Sequence, residues 1–190
     1  MPRVRPVADE VRMYPMAAPF ITQSWLNAAD DFSLAALRGR VVLVEVFQML
    51  CPGCVSHALP QAQKAARHFS ATDLVLIGLH SVFEHHQAQG TRAALQAFAH
   101  EYRLEFPIAI DAPGDADAVP QTMRHYAMRG TPTLLLIDRE GRLRMQHFGV
   151  LEDMALGAMI MSVIAEGALA VASASSNPAA GCDELGCVTP

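Results

Sequence analysis

The sequence predicts an α/β domain with a central mixed β-sheet flanked by helices in three layers. Three observations lead there. Apolar runs of strand length alternate with segments of helical period through the first part of the chain, a pattern that calls for parallel strands joined by covering helices. Those runs carry Val, Ile and Leu at successive positions, as strands buried on both faces do. The last two runs are separated only by Asp138-Arg139-Glu140-Gly141, a turn that closes an antiparallel C-terminal hairpin.

Taken in order, residues 1–19 form an N-terminal extension with Arg3, Arg5, Asp9, Glu10 and Arg12 and no continuous apolar stretch. A short segment, Phe20–Asn27, holds Trp25, the single tryptophan, and Ser33–Arg40 makes a turn before the first core strand. Strands are expected at Val41–Phe47, Leu74–Leu79, Phe106–Ile110, Thr133–Ile137 and Leu143–Phe148. Helices are expected at Val55–Phe69, Thr91–Tyr102, Pro120–Tyr126 and Met154–Glu166. From Gly167 to Gly181 almost every residue is Ala, Ser, Gly, Asn or Pro, the composition of a flexible linker. Its alanines could equally extend the preceding helix. The expected division is therefore an extension over 1–19, a domain over 20–166 and a flexible tail over 167–190 ending in Cys182-Asp183-Glu184-Leu185-Gly186-Cys187.

The bulk composition narrows the function classes. With 190 residues, 52% of them hydrophobic and 17% charged, the chain has enough apolar material for a core without staples. A net charge of −5 and the lack of a basic cluster argue against nucleic acid as a partner. No run reaches the roughly 20 apolar residues of a membrane-spanning helix. The N-terminus does not read as a secretory signal. A cytoplasmic location is the expectation, and four cysteines in two close pairs then point to redox or metal chemistry more than to a structural disulfide framework. Oligomeric state leaves no mark in the sequence.

The chemistry centres on Cys51-Pro52-Gly53-Cys54, between the strand Val41–Phe47 and the helix that follows. This places the first sulfur at a helix N-terminus, where unpaired N–H groups and the helix dipole favour the thiolate that attacks disulfides. The same spacing also serves zinc, but no second pair lies nearby in the core sequence. Glu45, within the otherwise apolar first strand, is a second unusual residue, since carboxylates are seldom buried without a reason. Burial would raise its pKa and suit it as a general base for Cys54; a solvent-facing or arginine-paired glutamate is the plainer alternative. Thr131-Pro132-Thr133 opens the later strand.

The order of strand, CxxC, helix, βα unit, Thr-Pro-Thr, hairpin and helix resembles the thioredoxin-like superfamily over about residues 20–165. The segment Tyr126 to Ile137 is similar to thioredoxin's cis-proline strand, and the additional βα unit between Leu74 and Asp111 resembles the redoxin group. That group includes the alkyl hydroperoxide reductase/thiol-specific antioxidant family and the TlpA-like thioredoxins of cytochrome maturation. The resemblance implies a thiol–disulfide oxidoreductase of cell redox homeostasis with no organic cofactor and no metal. Cys51 would be the attacking nucleophile, Cys54 the resolving thiol, and Glu45 the counterpart of the buried aspartate. Thr131 and a cis Pro132, with Pro52 and Gly53, would contact the substrate. Partners would be protein or small-molecule disulfides and thiols, and an upstream reductase. Leu50 stands where thioredoxins keep a tryptophan, which changes the substrate contacts. The peroxiredoxin pattern of Pro and Thr upstream of the cysteine is absent, so thiol-dependent peroxidase (antioxidant) activity is the alternative. A non-catalytic metal- or partner-binding module is a further one.

Among eight histidines, His57 lies one helical turn past Cys54, and His80, His85 and His86 cluster after the second strand as surface residues, or as a group that tunes a thiol or binds metal. The ten methionines read as core filler. A tail of this length, at about 3.3 Å per extended residue, could carry Cys182 and Cys187 to Cys51 as a dithiol relay. A soft-metal clamp, or a pair without function, are the other readings.

Overall fold

The computed structural model describes residues 14–29, 31–115 and 117–175, with side chains as far as Glu166. Its strands are β1 (Thr22–Leu26), β2 (Val41–Phe47), β3 (Leu74–His80), β4 (Ile108–Asp111), β5 (Thr133–Ile137) and β6 (Leu143–Phe148), joined in one sheet in the order β1-β4-β3-β2-β5-β6. The β2–β3 and β3–β4 pairs are parallel, and β5 runs antiparallel to both β2 and β6. The expected mixed sheet and C-terminal hairpin are present. β1, which the sequence offered only as a short segment around Trp25, adds an antiparallel edge beside β4.

Every residue of β2 is buried, as its apolar run demands, and the two-residue alternation of a strand divides it between two cores. Val42, Val44 and Val46 join Ile77, Leu79, Leu135 and Ile137 on one face, together with Leu37 of a 3₁₀ turn (Leu34–Leu37) and Met123. Phe47 joins Ile108 and Ile110 on the other, with Cys54, Leu59, Leu95 and Ala99. The helices follow from these faces. α1 (Leu59–His68) and α3 (Arg92–Glu101) contribute Leu59, Leu95 and Ala99 to the second core; α4 (Gln121–His125) brings Met123 to the first. α3 starts where expected because Thr91 caps it, its hydroxyl accepting the Ala94 N–H at 3.1 Å. α2 (His86–Gln89) is a single turn without enough periodicity to be read from sequence.

The expected helix Val55–Phe69 begins differently. Pro52 and Gly53 are already helical, Cys54–Ala58 is a widened π-type turn, and α1 follows. Pro60 is the local cause: it has no N–H to offer the carbonyl four residues back and its ring crowds that carbonyl. The turn widens, and the Leu59 N–H reaches the Cys54 carbonyl five residues back.

Within the extension, Pro15 and Ala17 are pinned to the hairpin, through the Leu143 N–H to the Pro15 carbonyl at 2.8 Å and the Ala17 N–H to the Gly141 carbonyl at 2.9 Å. The described residues up to Val150 form one compact unit, and a second begins at Leu151. The second is α5 (Asp153–Ser175), with Leu156, Ile160, Val163 and Ile164 buried at helical spacing. It continues past Glu166, so the first part of the expected linker is helical; its alanines are good helix formers. No helix among the described residues is long and apolar enough to cross a membrane.

Candidate active site

β2 ends buried at Phe47, and the chain turns through Gln48–Leu50 to deliver Cys51 at the start of the helical segment. Cys51 and Cys54 are disulfide-bonded, with Cα atoms 5.3 Å apart. Their environments differ: Cys51 is partly exposed and Cys54 is fully buried. The helix start places donors on Cys51, the Cys54 N–H pointing at its sulfur at 3.2 Å and the Val55 N–H at its carbonyl at 3.1 Å. A negative sulfur there gains from both the N–H and the dipole. Pro52 is exposed and Gly53 lies beside the ring of Pro132, so that a β-carbon at 53 would meet Pro132 Cδ at 3.6 Å, ordinary contact.

The Thr131–Pro132 peptide is cis. Its loop is fixed from both ends: the Thr133 hydroxyl donates to the Gly130 carbonyl at 2.7 Å, and the Gly149 N–H donates to the Pro132 carbonyl at 2.9 Å. The Thr131 carbonyl oxygen consequently lies 3.6 Å from Cys51 Sγ, close enough to receive the proton of a reduced thiol. Beside this loop the Phe148 ring lies where a side chain on Gly130 would intrude, 3.1 Å from the β-carbon position, and Arg129 lies over the same ring at 5.0 Å.

Glu45 lies in β2 between Gly78 of β3 and Leu134 of β5. Two residues from Phe47, it shares that residue's face of the sheet, the face whose core holds Cys54 and Leu59. It is fully buried, and neither carboxylate oxygen has a hydrogen-bond partner. Burial pushes its carboxyl well above the usual carboxylate range. The solvent-facing alternative is thereby excluded. A buried carboxyl with no partner is a common mark of a group kept for proton transfer.

The histidines do not form one group. His80 is buried with its ring centroid 5.3 Å from that of Phe47, its Nε2 unpartnered, and burial lowers its pKa to about 4. His85 and His86 are exposed, and His57 is an exposed helix residue 2.6 Å from the Ser56 hydroxyl. Among the described residues no set of three His, Cys, Asp or Glu side chains is arranged to hold a metal ion. Cys182 and Cys187 lie outside the described residues.

Two site residues escape sequence reasoning: the buried Gln48 and Gln89, which tie the Cys51 loop to α2. Gln48 is hinted at by its polarity between Phe47 and Met49; nothing around Gln89 marks it out.

The pattern of the AhpC/TSA family matches residues 16–146. A thioredoxin-like superfamily protein of known structure is 51% identical, with a TM-score of 0.76 over 79% of this chain and 96% of its own. A thiol-disulfide isomerase from Corynebacterium glutamicum is 45% identical, with a TM-score of 0.75 over 80% of this chain and 96% of its own. StoA from Bacillus subtilis, 20% identical with a TM-score of 0.56 over 74% and 95% of the two chains, shares the fold. No curated protein sequence matches significantly.

Proposed function

The chain belongs to the AhpC/TSA family, within its thioredoxin-like redoxins, and we propose that it is a thiol–disulfide oxidoreductase whose working pair is Cys51 and Cys54. One observation carries this reading. The partly exposed Cys51 lies between an N–H donor at 3.2 Å and the Thr131 carbonyl at 3.6 Å, while the sulfur to which it is bonded, Cys54, is closed off from solvent.

In the reducing direction the Cys51 thiolate attacks one sulfur of a substrate disulfide. A Cys51–substrate mixed disulfide forms and the other substrate sulfur leaves as a thiolate. Cys54 then gives its proton to Glu45 in its ionised form, which burial makes a stronger base than an ordinary carboxylate, and attacks the Cys51 sulfur. The Cys51–Cys54 disulfide forms, and the second substrate thiolate departs and is protonated. Two electrons pass from the protein to the substrate. An upstream thiol reductase returns them by the same exchange, and the sequence run backwards oxidises a dithiol. Thr131 and Pro132, with Gly53 beside the Pro132 ring and the exposed Pro52 next to it, form the wall along which an extended substrate chain lies. Cys182 and Cys187 are proposed as a relay between the reductant and Cys51.

The test is reduction of insulin by the full-length protein with dithiothreitol as electron source. Catalysis lost to the uncatalysed rate in Cys51→Ser supports the reading. A Cys51-dependent consumption of hydrogen peroxide with no insulin reduction would assign a thiol peroxidase in its place. Partner binding that survives loss of both core cysteines, without turnover in the intact protein, would assign a binding module. The relay fails if Cys182→Ser/Cys187→Ser turns over as the parent does with each reductant tried.

A further inference from the structure

The backbone just before Cys51 is held by a side chain far away in sequence, through the Leu50 N–H. Gln48 and Gln89 are both buried. The Gln48 side-chain oxygen accepts the N–H groups of Phe83 at 3.1 Å and Glu84 at 3.3 Å, and the Gln89 side-chain amide at 3.1 Å. Gln89 Nε2 also donates to the Glu84 carbonyl at 2.8 Å. Its remaining polar atom, Oε1, accepts the Leu50 N–H at 3.0 Å. The loop turns back on itself through the Cys51 N–H to the Gln48 carbonyl at 3.3 Å. Every polar atom of the Gln89 side chain is thus engaged, and its acceptor is spent on the backbone next to the nucleophile.

A buried amide pair of this kind is costly to break and specifies one arrangement. It is not needed for an element to form: α2 is a single turn, and the chain around it, Glu84–Ala88 and Gly90, is exposed. What it does fix is the direction in which residues 48–50 enter the helix. That direction decides whether Cys51 Sγ meets the Cys54 N–H.

We infer that Gln89, braced by Gln48, is a positioning residue for the Cys51 nucleophile, acting through the Leu50 backbone amide. This rests on the reading of Cys51 as the attacking thiol. With the brace removed, residues 48–50 gain freedom, Sγ spends less time on the Cys54 N–H, and the thiolate is less favoured. The same bond orients Leu50, whose side chain is 56% exposed beside the nucleophile and is thereby held out as a substrate contact.

The experiment is the pH dependence of iodoacetamide alkylation of Cys51 in the reduced full-length protein. It compares wild type, Gln89→Met and Asn27→Gly, with urea stability measured in parallel. Asn27→Gly removes two bonds remote from the site, to the Leu104 and Phe106 carbonyls at 2.7 and 3.2 Å, and suits a position with φ of +58°. Gln89→Met is expected to slow alkylation at pH 6 by about threefold to tenfold and move its inflection upward by up to about one pH unit. Asn27→Gly is expected to lose stability with the alkylation profile unmoved. If the profile of Gln89→Met coincides with wild type, or moves no further than that of Asn27→Gly, the inference is overturned. Should Gln89→Met not fold, hydrogen exchange of the Leu50 amide in the wild-type protein decides. Protection in both redox states supports the brace, and exchange at the free-peptide rate overturns it. A wild-type Cys51 no more reactive than a free thiol would overturn the proposed function as well, which separates the two failures.

Discussion

Replacing Glu45 by glutamine keeps the shape of the side chain and removes its charge, so it isolates what the buried carboxyl does. The folded protein holds Glu45 with no exposed surface and no hydrogen-bond partner for either oxygen, and burial raises its pKa well above the ordinary 4.5. The folded state therefore keeps its proton over a range in which the unfolded chain has released it. By linkage, the stability Glu45 contributes is fully present below pH 4.5 and is lost as pH rises through the folded pKa. The slope within that window is about 1.4 kcal/mol per pH unit.

Glutamine has no such slope. At pH 4 both proteins bury a neutral polar side chain without partners, so their stabilities differ there by no more than the about 1–3 kcal/mol that such a group costs. Glu45→Gln should then gain on wild type steadily as pH rises through that window. The assay is urea denaturation of the oxidised protein, in which the thiols do not titrate, at half-unit steps from pH 4 to 8. Taking the difference between the two proteins cancels every other titrating group. A difference independent of pH would refute the argument, because it would mean that Glu45 ionises in the native protein as freely as in the unfolded one. The same variant tests the chemistry. Without the base, resolution of the mixed disulfide by Cys54 should slow by about a hundredfold, read by acid-quench trapping, while the first attack by Cys51 proceeds at the parent rate.

Further expectations follow from neighbouring positions. His80→Leu should abolish acid lability of opposite sign: burial lowers the imidazole from 6.5 to about 4. Its contribution is present above pH 6.5 and is lost as pH falls toward 4, up to about 3 kcal/mol in all by linkage, readable in the same urea series. Gly78→Ala should cost about 1–3 kcal/mol by overpacking, since the new β-carbon would meet Phe106, Phe47 and Ile108 at 3.0, 3.1 and 3.2 Å; a midpoint equal to wild type in urea would show that these side chains yield freely. Cys54→Ser should accumulate a stable Cys51–substrate adduct visible by intact mass, and an adduct on residue 54 in Cys51→Ser would reverse the assigned order.

The sequence revealed the sheet and the reactive pair because both are written locally. An all-apolar run such as Val41–Phe47, interrupted once by Glu45, marks a central strand and an anomaly within it. Thr131-Pro132 at the head of another strand marks the facing loop. What could not be read rests on contacts between distant residues. β1 is a strand only because β4 pairs with it; Gln48 and Gln89 are neighbours only after β2 and β3 have aligned. The π-type turn at Cys54–Ala58 was within reach, since Pro60 lies one turn into the expected helix and forbids its regular continuation.

Glu45 and His80 also limit each other's visibility in the intact protein. Both lie on the face of the sheet that carries Phe47: Glu45 is two residues from it in β2, and His80 is its register partner in β3. Above pH 4.5 the first loses stability as pH rises, as far as its raised folded pKa, while the second gains it between about 4 and 6.5, each at about 1.4 kcal/mol per unit. Where the two windows overlap, the opposed slopes offset each other in the wild-type stability curve. A flat curve in wild type is therefore no evidence that the buried groups are silent. The discriminating result is a pair of variants with slopes of opposite sign, rising with pH in Glu45→Gln and falling in His80→Leu. If both variants stay flat, neither group titrates differently in the folded chain, and the burial that makes Glu45 a candidate base has no energetic consequence.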